Sequence, residues 1–401
     1  MPFPLNRDGW LLFATAGVRA FAYGFLSVVL GLYLDDLGLS PMAIGWIFTA
    51  ALAGGAVMTI VITAIADACG RKALLIIGAV LMALAGCVFA LSDNAVWLAI
   101  AAIFGTISPS GKEVGPFLSI EQAILPQTTS DQHRTAVFSA YNLVGSVAGA
   151  IGALVVGFPS LFSLSTAAGY RLLIWSYIAA ALALAVLFAM LSKKVEARRS
   201  GSQRPQFGVR KSRAIVAKLA GLFALDAFAG GFIVQSIVAY WFYLRFETDL
   251  HTLGTIFFGT NLLAAISFLA APPVARRFGL LNTMVFTHLP SNFLILLVPL
   301  MPTLELAVVM LLMRNSLSQL DVPTRQSYTM AVVDADERAA SAGILSVARN
   351  AGAALAPLFT GAILAKPSLG LPFLLAGALK IIYDVWIFAV FRKVKPPEEA
   401  G

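Results

Sequence analysis

The stretch RAFAYGF, residues 19–25, lies inside a long apolar run, and DAFAGGF, residues 226–232, restates it inside another. Five of the seven positions are identical, and the first has changed from Arg19 to Asp226. A phrase that recurs at one depth of two apolar runs marks an internal repeat, and the reading of the whole chain follows from it. Of the 401 residues, 59% are hydrophobic and 12% charged, with a mean hydropathy of +0.86. A soluble globular domain carries roughly 25% charged residues, so the composition points instead to repeated crossing of a bilayer. Apolar runs of about 20 residues or more, enough to span, recur along the sequence. Twelve are counted as spans 1–12: 9–34, 41–66, 72–92, 95–126, 135–158, 170–192, 214–246, 252–273, 280–300, 303–332, 338–365 and 371–392. Lipid leaves backbone groups to be satisfied within the segment, and the runs lack the two-residue alternation of barrel strands, so helices are expected. The expected fold is an all-α polytopic membrane protein, with twelve transmembrane helices in two pseudo-symmetric six-helix bundles.

Span 1 carries no cleavable signal pattern and is expected to stay in the chain. Cys69, in a loop, and Cys87, inside span 3, lie too far apart in this layout for a disulfide, and neither reads as a metal ligand. The one long polar stretch, KKVEARRSGSQRPQFGVRKSR at 193–213, reads as a basic linker. It divides the chain into 1–192, the linker 193–213, and 214–401. The linker is either simply solvated or drawn to anionic lipid. An even number of spans leaves both termini on one side. That side gathers Arg7, Arg71, Lys72, Arg134, the run from Lys193 to Lys218, Arg276, Arg277, Arg338, Arg392, Lys393 and Lys395. The opposite loops hold Arg171, Arg245 and Lys366. This asymmetry puts both termini in the cytoplasm. It also accounts for the net charge of +8 without a nucleic-acid partner.

The halves match beyond the opening phrase. YLDDLGLSPMAIG after span 1 answers YLRFETDLHTLG after span 7, and ADACGRK after span 2 answers ARRFGLL after span 8. EQAILPQTTSDQHRTA at the end of span 4 answers RQSYTMAVVDADERAA at the end of span 10, with Glu121 opposite Arg325, Gln122 opposite Gln326 and Arg134 opposite Arg338. A six-helix repeat is the mark of a transporter whose halves rock about a central site.

The motif TAIADACGRK, residues 63–72, resembles the G-x-x-x-D-(R/K)-x-G-R-(R/K) loop of the major facilitator superfamily. Asp67, Gly70, Arg71 and Lys72 match it, while Thr63 and Ala68 depart from it. The resemblance covers the whole chain and implies the twelve-helix fold with a cytoplasmic central loop. It implies that Asp67, Gly70, Arg71 and Lys72 form a conformational latch; the alternative is that Arg71 and Lys72 only enforce topology. In span 5, Gly145, Gly149 and Gly152 resemble the glycine-rich motif of the family's drug exporters, with Ala150 where a proline is usual. Such spacing also serves close helix packing.

Charges inside the spans cost at least ~2.5–3.5 kcal/mol each at mid-depth, so they are kept for pairing or for use. Arg19 lies about 15 Å into span 1 at ~1.5 Å of rise per residue, and Tyr23 shares its face. Arg19 and Asp226 are expected to pair across the halves, either as a coupling site or as a fixed strut. Lys112 and Glu113 in span 4, and Arg314 and Asp321 in span 10, are further candidates for a substrate and proton cavity, since the family resemblance implies that spans 1, 4, 7 and 10 line it. Glu121 and Arg325 form either a gate pair or solvated rim charges. Lys380 and Asp384 in span 12 are four apart and suit a self-neutralised pair. His288, near Pro290, reads as a helix break or a proton relay. There is no phosphate-cradling loop, nucleotide-binding domain or clustered metal-ligand motif. The expectation is therefore a non-enzymatic, cofactor-free secondary transporter driven by an ion gradient, most simply of protons. It would work as a monomer in the inner (plasma) membrane and export a small polar, charged or amphipathic molecule. Proton-coupled import of an organic ion or nutrient, and lipid translocation, are the alternatives.

Overall fold

The structure, a computed structural model of the chain, describes residues 5–112, 115, 117–130, 133–162, 164–196, 209–334, 337–364 and 370–394. These are all-α, with no strand among them. The first eight helices are α1 (Arg7–Asp36), α2 (Pro41–Cys69), α3 (Arg71–Leu91), α4 (Ala95–Phe104), α5 (Phe117–Ile124), α6 (Arg134–Val155), α7 (Phe158–Leu161) and α8 (Thr166–Ala189). They are followed by α9 (Arg213–Gly231), α10 (Gln235–Phe246), α11 (Leu250–Phe278), α12 (Leu280–Leu297), α13 (Leu304–Leu317), α14 (Asp321–Val332), α15 (Arg338–Leu364) and α16 (Leu371–Phe391). The starts are set by side chains that accept the orphan amides of a first turn: Asn6 for α1, Ser40 with Pro41 behind it for α2, Asn94 for α4, Ser165 for α8 and Thr303 for α13.

Among the described residues, ten helical stretches are long and apolar enough to cross a membrane. The expected spans 4 and 10 are not among them, because each is two shorter helices. Span 4 breaks between α4 and α5, where Thr106, Gly111 and Gly115 all take positive φ (52°, 67° and 82°). Span 10 breaks at 318–320, where Pro323 in the first turn of α14 cannot continue the helix from α13. Span 7 also breaks, after the Gly230–Gly231 pair, between α9 and α10. Irregular backbone at such depth needs internal partners, and it has them. Ser108 Oγ donates to the Lys112 carbonyl at 2.6 Å, and the Ser236 amide donates to the Pro109 carbonyl at 2.9 Å.

Packing groups Met1–Gln203 with Val234–Phe258, and Arg204–Ile233 with Gly259–Gly401. The repeat alone draws the boundaries at 1–192 and 214–401, with 193–213 between; most of that linker, 197–208, lies outside the described residues. α10 goes with the first group because it is bonded to α1. Gln235 Nε2 donates to Ser27 Oγ at 2.9 Å, Ser236 Oγ to the Ser27 carbonyl at 2.7 Å, and Tyr240 to Asp35 Oδ1 at 2.7 Å.

The sixth residue of the repeated phrase, a glycine in both copies, has the same duty in each group. A Cβ on Gly24 of α1 would lie 2.2 Å from the Gly149 carbonyl oxygen of α6, and one on Gly152 would lie 2.1 Å from that of Phe21. In the second group, Gly231 of α9 meets the Ala353 carbonyl of α15 at 2.5 Å, and Gly352 meets that of Ala224 at 2.3 Å. Backbones this close exclude any side chain. The glycines of span 5 are thus used in seating α6 on α1. The two loop glycines that the repeat equates, Gly70 and Gly279, also agree, with φ of +94° and +84°.

Candidate functional site

Among the described residues each group carries a buried charge network, and these two have the same plan. In the first, Arg19 of α1 and Glu121 of α5 both have side chains 0% exposed. Arg19 Nη1 donates to Glu121 Oε1 at 3.0 Å and Nη2 to Oε2 at 2.6 Å, a two-pronged pairing. Thr15 Oγ1 donates to Oε1 at 2.7 Å, and the Tyr141 hydroxyl donates to Oε2. The guanidinium stands over the Phe117 ring, 5.0 Å from its centroid. A planar, two-pronged bond of this kind is among the stronger polar contacts a buried site can hold.

In the second group the signs are reversed. Asp226 of α9 stands where Arg19 stands in α1, and Arg325 of α14 where Glu121 stands in α5. Arg325 Nη1 donates to Asp226 Oδ2 at 3.1 Å and to Asp321 Oδ2 at 2.9 Å, and its guanidinium stands over Phe223, 5.5 Å from the centroid. Asp226 also receives Lys380 Nζ at 2.5 Å on Oδ1 and Arg349 Nη1 at 3.4 Å on Oδ2. Of these partners only Arg349 is appreciably exposed, with 35% of its side chain accessible.

Two sequence-based pairings therefore change. The repeat reading joins Arg19 to Asp226 and Glu121 to Arg325; the structure joins Arg19 to Glu121 and Asp226 to Arg325. Each group pairs its own buried charges, and their attraction offsets the cost of desolvating them. Lys380 and Asp384 do not neutralise one another either. Lys380 reaches Asp226, and Asp384 pairs with His288 Nδ1 at 2.8 Å and accepts from Asn292 Nδ2 at 2.7 Å. His288 does not mark a break, since α12 continues through Pro290 to Leu297.

The remaining candidates fall in several places. Tyr23 is buried in α1 and Asp321 in α14. Lys112 is exposed in the break of span 4, and Glu113 lies outside the described residues. Arg314 of α13 has its Nε buried with no hydrogen-bond partner among the described residues. Asp67 lies in the last turn of α2, its side chain outside the described part. Gly70, at a φ of +94°, turns the chain into α3. The amides of Arg71 and Lys72 donate to the Glu196 carboxylate at 2.7 and 3.3 Å, and Lys72 Nζ donates to the Leu191 carbonyl at 2.7 Å. Glu196 thus caps α3, whose own N-cap glycine has no side chain to do so. Glu337 does the like at the start of α9, accepting the amides of Ser212 at 2.9 Å, Arg210 at 2.6 Å and Lys211 at 2.9 Å. Those amides, Ser212's foremost, lower its carboxyl to about 2.

Sequence reasoning passed over Thr15, Tyr141, Glu196, Asn292 and Glu337 as partners. Glu196 had a signal, being an acid alone in a basic stretch. Tyr141 and Thr15 had none, because a lone hydroxyl in an apolar span reads as packing. No group of three or more potential metal ligands exists among the described residues.

The sequence profile of the Major Facilitator Superfamily matches residues 12–320. An uncharacterized membrane protein of Saccharomyces cerevisiae is 27% identical across 97% of this chain and 95% of its own length. Among solved structures, a variant of the nucleoside transporter NupG superposes with a TM-score of 0.78 at 14% identity, over 96% of this chain and 100% of its own. The xylose transporter XylE from E. coli, inward open, gives 0.74 at 14% over 98% of each chain. A bacterial homolog of the human lysosomal transporter Spinster, inward-facing and unoccupied, gives 0.72 at 16% over 96% of each. Identities this low carry the fold.

Proposed function

Because the chain belongs to the major facilitator superfamily, we propose that it is a proton-coupled secondary transporter working by alternating access, exporting a small polar, charged or amphipathic molecule. The observation that carries this is the sign-reversed pair of buried networks, Arg19 with Glu121 and Asp226 with Arg325, at matched positions of the repeat. A purely structural strut needs one cation per carboxylate. Asp226 has three, and Arg349 keeps a third of its side chain free, which suits a network that rearranges during a cycle. We read the chain as a monomer with both termini cytoplasmic in the inner or plasma membrane, supported by the Lys and Arg asymmetry of its loops. Asp67, Arg71 and Lys72 are read as a latch in the loop that Glu196 braces.

A second reading, proton-coupled import, is favoured by one finding. Gly149 and Gly152, which make the exporter-like motif, are occupied in packing against α1. Solved relatives in fold include a D-xylose-proton symporter. Counterflow in proteoliposomes against a panel of sugars, nucleosides and organic ions identifies the solute, and the gradient that drives its accumulation fixes the direction. Asp226→Asn should then abolish accumulation against a gradient and spare exchange; accumulation at the wild-type level would refute coupling at this network.

A further inference from the structure

A second titratable cluster borders the Asp226 network on α12 and α16. His288 is 4% and Asp384 1% exposed. His288 Nδ1 lies 2.8 Å from Asp384 Oδ1, and Nε2, on the other side of the ring, lies 4.0 Å from Asp226 Oδ1. The imidazole is therefore suspended between two carboxylates of two different helices. Asn292, one turn along α12, donates to the second oxygen of Asp384 at 2.7 Å. The Tyr383 ring meets the imidazole edge to face, with centroids 6.0 Å apart. These contacts fix both the carboxylate and the ring. Asn292 Nδ2 also lies 3.1 Å from Nδ1, but the shorter contact is to Asp384, and a carboxylate that is ionised only accepts, which assigns the proton of that bond to Nδ1. The atom left to gain or lose a proton is Nε2, and it faces Asp226.

Apart from the exposed Glu305 of α13 and Arg213 and Lys218 of α9, the helices that pack on α12 bring the following charges. α16 carries Lys380 and Asp384, α14 carries Asp321 and Arg325, and α13 carries Arg314. α9 carries Asp226, through which Arg349 of α15 is joined. α12 has no other charged side chain. Asp226 is already met by Lys380 at 2.5 Å, Arg325 at 3.1 Å and Arg349 at 3.4 Å. A proton arriving on Asp226 itself would have to displace one of these cations. A proton arriving on His288 Nε2 instead adds a fourth cation beside the same carboxylate. The contact that gives way is the longest and most exposed one, to Arg349.

We propose that His288, seated on Asp384, is the proton-carrying group of this transporter, and that loading Nε2 loosens Arg349 from Asp226. Discharge of the proton restores the contact. The step moves one proton between water and a ring nitrogen and makes or breaks no other bond. It rests on the proton-coupled reading given above, and it names the group that carries the proton. Imidazole suits the task, because its charge changes between about pH 5 and 8 without special tuning.

The test uses the full chain in lipid nanodiscs with the proton as probe. The sequence has three histidines, so ¹⁵N-histidine spectra resolve after His133→Gln and His251→Gln assign the two exposed ones. His288 is expected to pass from neutral ring to imidazolium between pH 5 and 9. The pH dependence of its ring resonances should change in both Asp226→Asn and Asp384→Asn, each of which removes an opposite charge. The guanidinium resonance of Arg349 should shift with the same midpoint. A His288 that holds one protonation state over this range overturns the proposal, as does a midpoint unmoved by Asp226→Asn. Should the Asn variants not fold, the wild type decides: an Arg349 resonance indifferent to the His288 titration is fatal. The transport result for Asp226→Asn is read separately, so loss of coupling there with no titration here refutes only the histidine.

Discussion

At the scale of the residue, Arg19 and Asp226 show that equivalence in a repeat is not contact. Both sit at the same position of the same phrase, and each is satisfied by a partner within its own group. Glu121 accepts from Arg19, Thr15 and Tyr141 together. Glu121→Gln therefore leaves a buried guanidinium without its counter-charge and is expected to cost about 3–5 kcal/mol of stability. Arg19→Leu combined with Glu121→Leu removes both charges and should cost less than either change alone. Thermal unfolding of the purified protein measures this, and losses that simply add would mean that the two do not interact. The sequence shows that these charges exist and lie deep, because a charge in an apolar run is conspicuous. It does not show their partners, since pairing depends on which helices become neighbours and on rotation about their axes.

At the scale of the element, hydropathy reads well where a span is uniform and poorly where it is interrupted. The long runs become helices close to their expected bounds. Spans 4, 7 and 10 split, and their Gly, Pro and charged residues mark the splits without stating where backbone order stops. The repeated phrase also conceals a division of labour. Its unchanged glycine holds a helix–helix contact, while its changed first residue carries charge. Gly231→Ala in α9 should destabilise by about 1–3 kcal/mol through overpacking, because its Cβ would lie 2.5 Å from the Ala353 carbonyl oxygen. Gly221→Ala in the same helix meets nothing within 4 Å and should be neutral or stabilising, as helix propensity favours alanine. Unfolding curves for the two variants that coincide would dismiss the contact. The start of α9 supplies a second measurement. The Glu337 carboxyl is lowered to about 2, against roughly 4.3 in an unfolded chain. Its stabilising contribution is fully present above about pH 4.3 and is lost as pH falls toward 2. Glu337→Gln should flatten the loss of thermal stability between pH 5 and 3; an unaltered acid profile would show that the amide bonds contribute nothing.

At the scale of the molecule, the orientation rests on loop charges and can be read directly. Cys69 is exposed and ends α2 at the turn expected on the cytoplasmic side, whereas Asp36 follows the other end of the first span. In a Cys87→Ala background, an impermeant maleimide should label Asp36→Cys in intact cells and reach Cys69 only after lysis. The reverse pattern inverts the topology and every direction of transport inferred from it. The self-neutralising plan of each group also has a consequence in time. Glu121 is 102 residues beyond Arg19, and Arg325 is 99 beyond Asp226. At roughly 5–20 residues per second of synthesis, each lone charge waits on the order of five to twenty seconds for its counter-ion to be made. For that interval the first helix of each half is a poor lipid-dweller. It should linger in the insertion machinery, leaving for the bilayer only when the helix that completes it emerges from the ribosome.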